Sequence, residues 1–350
     1  MKNLLIIDAE QYGYHTDIYK YCQYLNEYAI TIICYDVGLD RVTSDNVKVV
    51  YIKELKNKTL NKIRFFFTCL FYVYKGFDFV FVCFFPHCEF LKLFSHKKLH
   101  LDIRSMCVSQ DVYWRDDFDR KLKKSIKYFD TISAISAGVA LRLDLKKYYL
   151  LPLGADIISK TKKDFSTIRL LYVGVLSNRH IYETVEGIHL FLEKHKEVKI
   201  IYNIIGFGKE ENLIKDMINR YKLNDAIIMH GRIPYDKLLQ YFEKANIGVS
   251  YIPMTDYYDY QPPTKTFEYI LSGLYCIATA TSANKDIISK ENGMLIQDNP
   301  KAFADALGYI LLNKVHFKSE KIVSSLKKYQ WKEIVANYLI PIIENESNNQ

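Results

Sequence analysis

The sequence predicts an α/β protein of two doubly wound domains in tandem, each a parallel sheet covered by helices on both faces. Short apolar runs alternate with longer segments of helical period along most of the 350 residues. Several of these runs are apolar throughout rather than alternating, as strands buried on both faces are. The pattern also restarts after Leu151-Pro152-Leu153-Gly154-Ala155-Asp156, and at about 100–200 residues per domain the length accommodates two domains.

Taken in order, the first strand is expected over residues 4–7, then a loop around Gly13 and a helix over 16–28. Strands follow over 30–34, 47–51 and 79–85, with shorter ones near 99–103 and 131–135. The stretch 62–85 is tempting as a membrane span, but Arg64, Lys75 and Asp78 interrupt it. Its longest uncharged piece, 65–74, is about half of the ~20 residues a bilayer crossing needs, so it reads as a helix followed by a buried strand. The boundary falls in the turn-rich, charged stretch 154–167. Beyond it, strands are expected over 170–173, 200–205, 226–229, 247–251, 275–278 and 294–296. The intervening helices begin at Glu183 and Glu210, run over 236–242, and begin again near Thr264, with two more after the last strand.

Composition narrows the function classes. Hydrophobic residues make up 49% and charged residues 25%, which excludes a disordered chain. The net charge of +8 suits phosphate-bearing ligands or an anionic membrane surface, but is too weak and too spread out to argue for nucleic acid. Seven cysteines, an odd number with no C-x-x-C pair, point to reduced thiols and a cytoplasmic location. The apolar run that opens the chain is too short for a signal peptide.

In doubly wound sheets ligands bind beyond the carboxyl ends of the strands, and the notable residues follow strands. In Gln261-Pro262-Pro263-Thr264-Lys265-Thr266-Phe267-Glu268, two prolines end a loop and Thr264 and Lys265 open a helix. Free backbone N–H groups there bind anions, and a cation at that end makes sense beside a phosphate. Glu268, about one turn on, can accept two hydrogen bonds from a ribose diol, or merely complement the helix dipole. Arg179, after Gly174, has forked donors suited to a diphosphate. Gly206-Phe207-Gly208 lacks the third glycine of a dinucleotide fingerprint, so a tight turn explains it as well. His230-Gly231-Arg232 can set backbone against a nucleobase edge. In the first half, Gly13 follows the first strand, and His15 and Asp17 enter the helix. Asp102 and Arg104 share a strand face, either pairing with each other or lining a ligand cleft. Asp116-Asp117-Phe118-Asp119 and Asp256-x-x-Asp259 lack companion ligands and read as helix-start or loop acids, not metal sites.

Together these residues resemble the retaining GT-B glycosyltransferases, in particular family 4. The match runs, in the family's order, through Leu170-Leu171-Tyr172-Val173-Gly174, Gly206-Phe207-Gly208, His230-Gly231-Arg232 and the stretch from Pro263 to Gly273. Leu151–Asp156 resembles the family's linker, and Tyr329-Gln330-Trp331 the start of a C-terminal helix that crosses back to the first domain. The resemblance implies two Rossmann-like domains facing a cleft: 1–155 with 329–350 for the acceptor, and 156–328 for the donor. It implies that Glu268 holds the donor ribose, that Arg232 and Ile233 meet the base, and that Lys265 and Arg179 hold the diphosphate and stabilise its departure. Thr264, Tyr260, Gly206 and Gly13 complete the expected donor set; His15, Asp102 and Arg104 form the expected acceptor set.

Two departures stand out. Relatives often carry an acid where this chain has Tyr260, with Asp259 beside it, and an Arg where it has Val175. The implied activity is metal-independent and cofactor-free transfer of a sugar from a nucleotide diphosphate donor to a glycan or lipid-linked acceptor. A role in bacterial surface polysaccharide synthesis, with peripheral contact to an anionic membrane, is the family's implication. A sugar-nucleotide epimerase and an inactive sugar-nucleotide-binding module share the fold and remain alternatives.

Overall fold

The computed structural model describes residues 2–347, and two compact units divide it. The first runs to Leu153 and takes back the chain from Trp331 onward; the second is Gly154–Gln330. These limits lie two residues from the expected 155/156 and 328/329. Met1 and the last three residues of the expected 329–350 segment lie outside the described residues.

The first unit holds strands β1 (Lys2–Ile7), β2 (Tyr28–Asp36), β3 (Val47–Lys53), β4 (Phe79–Cys83), β5 (His100–Ile103), β6 (Thr131–Ala134) and β7 (Tyr149–Leu150). All pair in parallel, in the order β3-β2-β1-β4-β5-β6-β7. Its helices are α1 (Thr16–Tyr24), α2 (Lys58–Val73), α3 (Glu89–Leu93), α4 (Val112–Ile126) and α5 (Ala137–Arg142). β4 is buried at every position, as expected of the centre of a parallel sheet.

In the second unit, β8 (Ile168–Val173), β9 (Ile200–Ile205), β10 (Ile227–Met229), β11 (Ile247–Ser250), β12 (Tyr275–Thr279) and β13 (Gly293–Ile296) form a parallel sheet. Its order, β10-β9-β8-β11-β12-β13, counted from its own first strand, repeats that of the first six strands of the first unit. The helices are α6 (Ile181–Lys194), α7 (Glu211–Arg220), α8 (Leu239–Lys244), α9 (Thr264–Leu271), α10 (Ser282–Lys285), α11 (Pro300–Asn313) and α12 (Ser319–Leu326). The returning chain, α13 (Trp331–Ile334) and α14 (Ile340–Ser347) joined by a π turn, buries Trp331 edge-on against Tyr21 of α1.

Several boundaries differ from expectation for local reasons. α1 stops at Tyr24 rather than 28, because the Asn46 side-chain amide donates to the carbonyls of Cys22 and Leu25 and ends the helix. β4 stops at Cys83 rather than 85, where the chain turns at Pro86. The helix expected over 236–242 is a 3₁₀ turn, Tyr235–Lys237, followed by α8. β7 escaped notice because two residues carry no readable period.

Candidate active site

In the second unit, three successive strand-end loops are tied together by backbone. Gly174 N–H donates to Ile205 O at 2.9 Å, Leu176 N–H to Phe207 O at 2.9 Å, and Gly206 N–H to Gly231 O at 2.8 Å. Glycine is required where these loops cross: a Cβ on Gly206 would lie 1.8 Å from the Gly174 carbonyl oxygen. The Glu210 carboxylate then accepts from the backbone N–H groups of Asn178, Arg179 and His180 at 2.9, 3.3 and 3.0 Å. Asn178 and His180 are left-handed, with φ of 57° and 52°. One carboxylate thus holds a bent loop and aims Arg179, whose guanidinium lies 4.3 Å from the Tyr258 ring centre.

α9 forms because Thr266, Phe267, Tyr269, Ile270 and Leu271 recur on one buried face. Tyr269 accepts the Val173 N–H at 2.8 Å and lies over Gly248, where a Cβ would approach its ring to 2.4 Å. This packing sets the first turn of α9 beside the end of β8. Pro263 supplies no capping side chain, and Thr264 is exposed. Lys265 folds back so that its Nζ lies 4.0 Å from the Tyr172 ring centre, in space that a Cβ on Gly174 would invade at 2.5 Å. Burial, and then the charge of Arg179, lower the Lys265 pKa to about 7. Among the described residues neither Lys265 nor Arg179 forms a salt bridge with a carboxylate. Lys265 and Arg179 therefore share a site with a helix N-terminus, and the charge of Glu268, one turn further on, is the carboxylate that acts on Lys265 there.

Glu268 lies one turn further on, half-buried, and accepts from Tyr235 Oη at 3.2 Å; the same hydroxyl lies 3.4 Å from Asp156. Burial and these two carboxylates push the Tyr235 pKa up. Arg232 is exposed against Phe207, and Ile233 is half-buried beside it. Tyr260 is half-buried. Its neighbour Asp259 accepts the Ser282 N–H at 2.8 Å and the Ser282 hydroxyl at 2.6 Å, so both carboxylate oxygens hold the start of α10.

Gly13, from the expected donor set, belongs to the first unit, where it turns beneath Val42. Asp102 is wholly buried, accepting from Ser133 Oγ at 2.5 Å, and burial raises its pKa to about 6 against the opposing pull of Arg104. Arg104 is held by Asp17 at 2.5 Å and by the Leu151 carbonyl at 2.7 Å, and lies 3.7 Å from Asp102. His15 Nδ1 meets Asp8 at 2.8 Å. Burial alone would lower the His15 pKa, but the hydrogen bond and charge of Asp8 raise it to about 9.

Asp8, His15 and Cys83 place potential ligand atoms within 4.8 Å of one another. His15 and Asp8 are already joined as an ion pair at 2.8 Å, and the buried Cys83 thiol lies near them. Asp117, suspected only to be dismissed as a ligand, pairs with Arg120 and Lys121, and Asp119 accepts the Cys107 N–H.

Sequence reasoning passed over Asp8, Tyr172 and Glu210. An acid directly after the first strand was a usable signal for Asp8; nothing in the spacing marked Tyr172 or Glu210.

Two parallel sheets of this order are Rossmann-like doubly wound units, and solved proteins of the GT-B glycosyltransferase fold superpose on the chain. Residues 167–313, within the second unit, match the family described as Glycosyl transferases group 1. An uncharacterized glycosyltransferase of Methanocaldococcus jannaschii is 22% identical over 261 residues, 71% of this chain and 64% of that protein. Sucrose-phosphate synthase from Thermosynechococcus elongatus superposes with a TM-score of 0.76 at 14% identity, covering 100% of both chains. Anabaena HepE in complex with UDP superposes at 0.72 and 10% identity, covering 99% of this chain and 100% of that one.

Proposed function

We propose that this protein transfers a sugar from a nucleoside diphosphate donor to a glycan or lipid-linked acceptor, with retention of configuration and without a divalent metal. The observation that carries the reading is the pair Lys265 and Arg179, held at the start of α9 without a salt bridge to a carboxylate among the described residues. A diphosphate there would meet two cations and a helix N-terminus in partly desolvated surroundings. As the bond between the anomeric carbon and the diphosphate oxygen breaks, that oxygen takes the electron pair. The acceptor oxygen bonds to the same face of the sugar, and its proton passes to the departing phosphate. Lys265 and Arg179 stabilise the charge that grows on the leaving group, so no protein nucleophile is needed.

Glu268 would bind the ribose diol in place of Tyr235, and Ile233 and Arg232 the base. HepE, of similar fold, was solved with UDP, which supports a uridine donor. In the first unit, Asp8 and His15 would serve the acceptor as a preformed ion pair, while buried Asp102 and Arg104 shape the loop ends behind them. A place in bacterial surface polysaccharide assembly, at an anionic membrane face, follows from the family likeness.

Calorimetry of UDP binding in excess chelator tests the reading. Binding to the wild type that weakens in Lys265→Ala supports it, whereas binding that needs added divalent metal overturns the metal-independent part. Interconversion of donor sugars without an acceptor would move the assignment to an epimerase. UDP binding with neither transfer nor interconversion would move it to a binding module.

A further inference from the structure

The two basic side chains at the start of α9 have a feature in common: each lies against a tyrosine ring. The Lys265 Nζ is 4.0 Å from the centre of the Tyr172 ring, and the Arg179 guanidinium carbon is 4.3 Å from that of Tyr258. Both lie inside the ~6 Å at which the negative face of an aromatic ring attracts a cation. The rings come from different segments, Tyr172 from β8 and Tyr258 from the loop between β11 and α9, so no local repeat accounts for the pairing.

Each ring is fixed from behind. Tyr172 is wholly buried, and its hydroxyl donates to the Val175 carbonyl at 2.7 Å, which keeps the ring from turning away from Lys265. Gly174 leaves the space that Nζ fills beside that ring. Tyr258 is buried, its backbone N–H donates to the Thr255 carbonyl at 3.0 Å, and its ring packs on that of Tyr257 at 4.7 Å. The other charged and titratable groups that act on Lys265 are Arg179, which repels it, Glu268 one turn further on, and the Cys276 thiol of β12. A carboxylate in the place of either ring would neutralise its cation, and a diphosphate would have to displace it. A ring face orients a cation without supplying a counter-charge, so the full positive charge is left for an anion.

We propose that Tyr172 and Tyr258 are positioning residues for the transfer reaction: their ring faces hold Lys265 and Arg179 in place as cations, in the free and the liganded protein alike, and leave both charges to the donor diphosphate. This deepens the donor reading above and rests on it.

The test changes the ring's electrons and keeps its shape. Tyr172→Phe retains the negative face, whereas pentafluorophenylalanine in place of Tyr172 reverses its sign; the hydroxyl is absent from both, so their difference isolates the face. Lys265 is followed by NMR of isotopically labelled lysine, its signal being the one that Lys265→Arg removes, with UDP calorimetry on the same proteins. Lys265 should titrate about one pH unit lower in the fluorinated protein than in Tyr172→Phe. UDP affinity should then fall about tenfold at pH 8, where the lysine must first take up a proton, and only about twofold at pH 6. A purely structural role of Tyr172 would lower it equally at both. A guanidinium does not titrate in this range, so Tyr258→Leu should weaken UDP binding by about threefold or more at either pH, and Tyr258→Phe should restore it. Should the fluorinated protein melt early, the Tyr258 pair, carried on a loop, decides the matter through Arg179. Equal Lys265 titration in the two Tyr172 proteins, or wild-type UDP affinity in Tyr258→Leu, would overturn the proposal. A lowered Lys265 titration in a chain whose wild type binds no UDP would remove the donor reading, and with it the rings' use in transfer, while the hold of Tyr172 on Lys265 stands.

Discussion

The strand ends of the two sheets differ although the strand order is the same. In the first unit the charges answer one another: His15 with Asp8, Arg104 with Asp17 and, further off, Asp102. In the second, Lys265 and Arg179 stand together without a salt bridge among the described residues, Glu268 acts on Lys265 only through its charge, and Glu210 is occupied with backbone N–H groups. One topology thus gives one end whose charges are paired within the unit and one whose two basic side chains form no salt bridge among the described residues. Topology sets where ligands gather; the placement of counter-charges sets what is bound.

The largest effect that would test this contrast lies in the first unit and concerns stability. His15 has a folded pKa of about 9, above its unfolded value of 6.5. Its contribution is therefore fully present below pH 6.5 and is lost as pH rises through 9. At about 1.4 kcal/mol per pKa unit it amounts to about 3 kcal/mol. Denaturant unfolding of the wild type and of His15→Asn between pH 6 and 10 measures it as the difference between two curves. Equal pH dependence in both would show that the pair contributes nothing.

Next comes the open end. Lys265→Ala should lower turnover at saturating donor by ~10²-fold, as removal of a group that stabilises the transition state does. Steady-state kinetics checks it, and wild-type turnover would leave Arg179 as the stabilising group. Because the free Lys265 titrates near 7 with its charged form disfavoured, it must take up a proton when a diphosphate binds above that pH. UDP affinity should then fall as pH rises from 7 to 9, with proton uptake visible by calorimetry in buffers of different ionisation enthalpy. Lys265→Arg should flatten this dependence.

Glu268→Gln should weaken donor binding by about 1.5–3 kcal/mol with little change in turnover, since a ribose contact is the same in ground and transition states. A fall in turnover at saturating donor instead would place Glu268 among the groups that act on the transition state. The smallest effect concerns Tyr235, whose hydroxyl occupies Glu268 in the free protein. Tyr235→Phe removes that competitor and should tighten UDP binding by about 1 kcal/mol or less. Weaker binding would show that Tyr235 contacts the donor itself.

What the residues alone determined is what repeats along the chain or has a local chemistry. The alternation of apolar runs with helical periods carried both sheets, since a strand buried on two faces must be apolar at every position, as β4 is. Pro263-Thr264-Lys265 and Glu268 were legible as a helix start facing an anion, because helix ends leave backbone donors free whatever surrounds them. Contacts between distant segments were not. Lys265 depends on Gly174 for its space, Arg179 on Glu210 for its loop, and His15 on Asp8 for its proton, over separations of 91, 31 and 7 residues. The inward face of α2 was hidden for a related reason: Phe65, Cys69 and Val73 lie on one apolar face and Phe67 and Phe71 on another, and only the packed sheet decides that the first is covered. Periodicity reports that a face is apolar; tertiary structure alone determines what, if anything, lies against it.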